Sequence, residues 1–160
     1  MRGFECSHWG VGAGTIFRLR YHLVDSVLEQ APDRIRTLKQ VTAAEEYLAD
    51  HFPGYPILPG VLMLEALAQS ARIMLQDAAG EQLVLGGVKA LKYGAMVKPG
   101  ESLEVVVSLV KGPDLSGAWS CKGTGTVRGG SLDGETAVSG RFTMRPMSSG
   151  ACAGGQESPA

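Results

Sequence analysis

The chain has 160 residues, with 15 Lys and Arg against 16 Asp and Glu, a formal net charge of −1 and 44% hydrophobic residues. That length suits one domain whose core needs no disulfide or metal staple, and the balanced charge, with no basic block, gives no footing to nucleic-acid binding or a polybasic membrane patch. The longest apolar run, 57–68, is broken by Pro59, Gly60 and Glu65 and is too short for a membrane span; residues 1–15 lack a secretory apolar core, so the cytoplasm is the expected compartment.

In chain order, residues 16–28 are rich in β-branched, aromatic and Leu residues and are expected to form a strand. Residues 30–33 contain Pro32 and suit a turn. Residues 34–42 alternate through Ile35, Thr37, Lys39 and Val41, as a second strand would. AAEEYLA, 43–49, suits one or two helical turns. Residues 51–59 hold three prolines and a glycine, which excludes regular structure.

From Gly60 to about Ala79 there is no internal Gly or Pro, and Leu, Met and Ala dominate, so this is the one long helix. Residues 61–68 are apolar on nearly every face, which predicts burial on several sides. Strands are expected over 83–93, 102–111, 118–127 and 135–145. The turns between them carry Gly or Pro (KPGE, KGPDLSG, GGSLDG), the mark of antiparallel neighbours. Residues 1–14 are Gly-punctuated and expected to be irregular. The small, polar tail over 147–160 is expected to be disordered, leaving a single domain over 15–146. The pattern is α+β: about six antiparallel strands around one buried helix.

Three cysteines, Cys6, Cys121 and Cys152, fit neither a disulfide framework nor a CxxC zinc pattern and are expected to be reduced. Cys6 and His8 alone are too few for a metal site, and no metal is expected.

The chemistry concentrates in HFPGYPILPGVLMLEALAQ, 51–69. Pro59 and Gly60 open the helix, so the amides of Gly60 and Val61 should be free donors at its positive end, able to form an oxyanion hole. Glu65 stands among apolar neighbours, and a carboxyl in such surroundings is favoured in the neutral form that can donate a proton. Gln69, one turn on, can orient it. His51 offers the side chain best suited to accept a proton near neutral pH. Base, acid and oxyanion hole are what proton abstraction beside a thioester carbonyl, with loss of a β-leaving group, requires. Taken singly, each has a plainer reading. His51 can pack its own turn, Glu65 can pair with an Arg or face water, Pro59-Gly60 can be a simple cap, and Gln69 an edge residue.

Together they resemble the signature of the β-hydroxyacyl-[acyl carrier protein] dehydratases of the FabZ type, a hotdog fold. His51-Phe52-Pro53-Gly54, Pro56, Pro59-Gly60-Val61-Leu62, Glu65-Ala66 and Ala68-Gln69 match in register. Leu23-Val24-Asp25 resembles the family's first-strand LVD, and Val97-Lys98-Pro99-Gly100-Glu101 its later Pro-Gly hairpin; the likeness covers roughly residues 20–145. The related dehydratase/isomerase branch carries Asp at the acidic position, so Glu65 points to the FabZ side. The resemblance implies a curved sheet wrapping the helix, and two subunits pairing into one continuous sheet. It implies sites built from His51 of one chain and Glu65 of the other, and dimers assembling into hexamers (trimers of dimers).

By the same resemblance, His51 removes the α-proton and Glu65 protonates the departing β-hydroxyl or holds the water that does. Gly60 N–H, with Val61 N–H, polarises the thioester oxygen, and Gln69 orients Glu65. No metal or redox cofactor is implied. The substrate is a (3R)-3-hydroxyacyl thioester on the phosphopantetheine arm of acyl carrier protein, or on coenzyme A, with its acyl chain in an apolar tunnel. The chain departs from the family before the LVD, where Ile16-Phe17-Arg18-Leu19-Arg20 replaces a Pro-His-Arg-x-Pro run, and at Asp50, where Gly is usual. Acyl thioesterase and non-catalytic acyl-thioester binder are the alternatives on the same fold.

Overall fold

The computed structural model describes residues 21–147. The segment expected to be irregular over 1–14, Cys6, Cys152 and the tail from Ser148 lie outside the described residues. Within them the elements run β1 (Ser26–Ala31), β2 (Arg34–Gln40), α1 (Tyr47–Asp50), α2 (Gly60–Ala79), β3 (Leu83–Tyr93), β4 (Ser102–Lys111), β5 (Trp119–Arg128) and β6 (Thr136–Pro146). The six strands form one antiparallel sheet in the order β1-β2-β4-β5-β6-β3, with α2 packed on one face. This is the α+β hotdog architecture that the pattern and the resemblance imply. No helix among the described residues is long and apolar enough to cross a membrane.

Strand alternation sends Ile35 of β2, Leu103, Val105 and Val107 of β4, Cys121 and Val127 of β5, and Phe142 and Met144 of β6 into the core. From the other side α2 contributes Leu67, Ala68, Ala71 and Leu75, none with exposed surface. Burying one such Leu stabilises the fold by roughly 1.5–3 kcal/mol. β5 carries glycine at two inward positions, Gly123 under the helix and Gly125 beside the side chains of β4 and β6. A Cβ on Gly123 would lie 2.9 Å from Leu67 Cδ2, and one on Gly125 2.8 Å from Leu103 Cδ1. The sheet is therefore hollowed where Leu67 seats. The helix closes at Gly80, whose φ of 65° is the left-handed cap, with its amide donating to the Gln76 carbonyl.

The expected strand over 16–28 is corrected. Residues 16–20 are outside the described region, residues 21–25 are irregular, and β1 begins only at Ser26 and runs on to Ala31. The reason is visible in the packing. The Leu23 amide is committed to the Gln69 side chain at 3.0 Å instead of to a neighbouring strand, and Leu23 and Val24 are both buried. The expected turn over 30–33 tightens to Pro32 and Asp33, because Ala31 still pairs with Arg34. The short helix starts later than expected, at Tyr47 rather than 43.

Residues 21–25 are held by a compact polar cluster. Lys39 is almost fully buried and pairs with Glu45 at 3.1 Å and Asp25 at 3.4 Å. Asp25 also accepts the Gln40 amide, and the Tyr47 hydroxyl donates to Glu45. Burial alone would push the Glu45 carboxyl up, but the Tyr47 hydroxyl, the Thr42 amide and Lys39 together hold it below its ordinary value. Burial, then the Glu45 carboxylate, pushes the Tyr47 hydroxyl up. A carboxyl whose folded pKa is depressed stabilises the fold above its unfolded value, and that stability is lost as pH falls through the folded value. Thermal midpoints of wild type and Glu45→Gln should therefore differ most above about pH 5 and converge toward about pH 3. A gap that widens in acid would contradict the cluster's role.

Candidate active site

The site is built on the first three turns of α2. Pro59 ends the irregular loop, and its carbonyl accepts the amides of both Leu62 (3.0 Å) and Met63 (3.1 Å). The amides of Gly60 and Val61 have no acceptor among the described residues, as at the start of any α-helix. Gly60 has a steric reason as well: a Cβ there would lie 2.9 Å from Cε1 of Tyr93, whose ring walls that side of the helix start.

Glu65 lies one turn beyond these amides. Gln69 Nε2 donates to its Oε1 at 3.2 Å. Gln69 is itself pinned: its Oε1 accepts the Leu23 amide at 3.0 Å, and its Nε2 also donates to the Tyr21 carbonyl at 3.1 Å. With its oxygen committed to an N–H, the amide can present only nitrogen to Glu65. The irregular path of residues 21–25 is therefore what turns Gln69 the right way.

Two sequence expectations are revised here. The helix is not buried all round: Val61 is 70% exposed in the single chain, and the Glu65 side chain is 32% exposed rather than enclosed by apolar groups. The inward face instead runs through Met63, Ala66, Leu67, Ser70, Ala71, Met74 and Leu75. Glu65 is also paired, since Arg72 Nη1 donates to the same Oε1 at 3.2 Å. Arg72 was not foreseen; its signal is the spacing of seven from Glu65 and three from Gln69, which places all three on one helix face.

His51 follows α1 directly, its amide closing on the Tyr47 carbonyl at 3.3 Å. Its ring meets the Phe52 ring edge-on at 4.4 Å between centroids, and its Nδ1 is enclosed with no hydrogen-bond partner among the described residues. Phe52 has φ 57°, a left-handed conformation that costs a non-glycine residue about 1–2 kcal/mol. The loop is fixed at its far end by the Leu58 amide on the Val97 carbonyl (2.8 Å), and Lys98 sits 5.1 Å above the Tyr55 ring. No hydrogen bond joins His51 to Glu65 within the chain. The structure thus brings together Glu65, Gln69 and the free amides, and holds His51 on a separate rigid loop.

Among the described residues, the surface carries two grooves near these elements. One, of about 420 Å³, lies between residues 43–49 and Gly54, Pro56 and Pro99; the other, of about 170 Å³, lies beside Tyr21–Leu23 and Glu45–Tyr47. Neither includes Glu65. Around the helix start, Phe52, Tyr55, Val61, Tyr93 and Met96 are instead left exposed. Cys121 is internal, and burial pushes its thiol up to about 11, which makes it inert.

Comparison with known proteins supplies the family. The profile of the ApeI-like family (ApeI dehydratase) matches residues 28–127. The 3-hydroxyacyl-[acyl-carrier-protein] dehydratase FabZ of Oenococcus oeni is 41% identical over 73% of this chain and 82% of its own. That of Oceanobacillus iheyensis is 38% identical over 79% and 89%. Among solved structures, the dehydratase heterocomplex ApeI:P of Xenorhabdus doucetiae superposes with a TM-score of 0.63 at 18% identity, over 80% of this chain and 84% of that one. A hypothetical thioesterase from Streptococcus pneumoniae shares the fold at a TM-score of 0.58 and 12% identity, over 76% of this chain and 84% of that one. With these matches on the sequence signature and the sheet-wrapped helix, the chain belongs to the hotdog-fold dehydratases of the FabZ family.

Proposed function

We propose that the protein dehydrates (3R)-3-hydroxyacyl thioesters, carried on acyl carrier protein in the cytoplasm, to trans-2-enoyl thioesters for fatty acid biosynthesis. The observation that carries this reading is the α2 N-terminus. There, two amides with no acceptor among the described residues stand one turn from a carboxyl group whose Oε2 has no partner among them. In this reading the thioester oxygen rests on the amides of Gly60 and Val61. His51 takes the α-proton through Nε2, because its Nδ1 is enclosed. The electrons released move into the thioester and form an enolate, which the helix amides stabilise. They then return to form the double bond as the β-carbon–oxygen bond breaks. The departing hydroxyl takes a proton from Glu65 and leaves as water. Gln69 orients Glu65, and no metal or redox cofactor takes part.

The same reading makes the working unit a dimer. β3 is an edge strand, and residues 86–90 are exposed along it. Pairing that edge with a second copy's β3 would join two sheets into one. It would also cover the exposed apolar residues at the helix start and bring the partner's His51 loop to Glu65, closing an acyl tunnel that neither groove of the single chain supplies. Three such dimers would make the hexamer that the family resemblance suggests.

The test is hydration of a crotonyl thioester, the reverse reaction. Wild-type protein should add water, and Glu65→Gln should lower kcat by about a hundredfold or more. Release of free thiol without hydration would instead establish a thioesterase. Tight binding without turnover would establish a non-catalytic acyl-thioester binder.

A further inference from the structure

We propose that Arg72 is a positioning residue for Glu65, selecting which carboxylate oxygen faces the substrate; the inference rests on Glu65 being the acid of the reaction. Two donors converge on Glu65 Oε1, Gln69 Nε2 and Arg72 Nη1, each at 3.2 Å. Each donor is anchored to the backbone of a different element. Gln69 is tied to Tyr21 and Leu23, ahead of β1. Arg72 is tied by its Nε to the carbonyl of Leu83, the first residue of β3, at 2.9 Å.

The guanidinium is a rigid planar fork. Fixing its Nε on a backbone carbonyl fixes the direction of Nη1, so the contact to Glu65 loses little side-chain entropy on forming. A lone amide on Oε1 would leave the carboxylate free to swing about that one contact. A second donor on the same oxygen holds Oε1 in place and leaves Oε2 as the oxygen that exchanges a proton. Because Leu83 begins the edge strand, Arg72 also links the carboxylate to the strand that would meet the second subunit.

The test uses the full chain and crotonyl-coenzyme A hydration. Arg72→Ala should lower kcat about thirtyfold and leave KM within about twofold, since a misplaced acid loses transition-state contact rather than substrate affinity. Arg72→Lys should recover part of the loss, keeping a cation that reaches Glu65 but not the fork that is oriented from Leu83. Adding Arg72→Ala to Glu65→Gln should cost nothing further, because the group being positioned has gone. Arg72→Gln, which can still bond the Leu83 carbonyl, covers the case in which Arg72→Ala does not fold, and should show the same fall in kcat. Wild-type kcat in a folded Arg72→Ala or Arg72→Gln protein would overturn the inference. So would a full further loss in the double variant, which would mark a structural role. Wild-type kcat in Glu65→Gln alone would instead remove Glu65 as the acid.

Discussion

Mixed in equal amounts and allowed to exchange subunits, His51→Ala and Glu65→Ala proteins recover dehydratase activity that neither shows alone. The expectation follows from the lack of any hydrogen bond between the two side chains within one chain. His51 is locked on the loop after α1 with no bond to its own Glu65, and the helix start leaves Val61 70% exposed. If each site takes His51 from one chain and Glu65 from the other, a mixed dimer holds one site with both residues and one with neither. Random pairing makes half the dimers mixed, so about a quarter of wild-type activity should return, from a background reduced about a thousandfold. If both residues came from one chain, every site would lack one of them and mixing would restore nothing. Turnover by His51→Ala alone at the wild-type rate would remove His51 as the base.

Leu67→Ala should be among the most damaging truncations of the core. Leu67 has no exposed surface, and its Cδ atoms fill the hollow that Gly123 leaves in β5. Glycine has no side chain to occupy the space, and the backbone of the flanking Phe142 is paired on both sides, with Val88 and with Cys121. The cavity should therefore persist, placing the loss in the upper part of the usual range, about 3–5 kcal/mol. Urea unfolding at neutral pH measures it. A loss under about 1 kcal/mol would mean that the sheet closes on the gap.

Much of this was legible from residues alone. The limits of α2, β3 and β4 follow from Gly/Pro punctuation, and β5 and β6 are displaced by a single residue. Glu65 and Gln69 meet as their i, i+4 spacing requires. What misled was composition without context. Residues 21–25 carry strand-like residues, yet Leu23 packs into the core and its amide bonds a side chain from a helix far along the chain. No local pattern encodes that contact. Arg72 escaped for a related reason: its partner lies two turns away and its anchor at Leu83 lies in another element. Of the plainer readings of Glu65, pairing with an Arg is realised, and it coexists with the bond to Gln69.

The anchoring of Gln69 also bears on how the protein matures. Leu23 and Gln69 are 46 residues apart, and Tyr21 and Gln69 are 48 apart. Helix α2 can form from local bonds in about a microsecond, whereas closing that loop and docking residues 21–25 is a non-local event that comes later. A refolding chain should thus regain its helical signal before it regains catalysis, the interval covering both the docking that turns Gln69 toward Glu65 and the pairing of subunits that the proposed site needs.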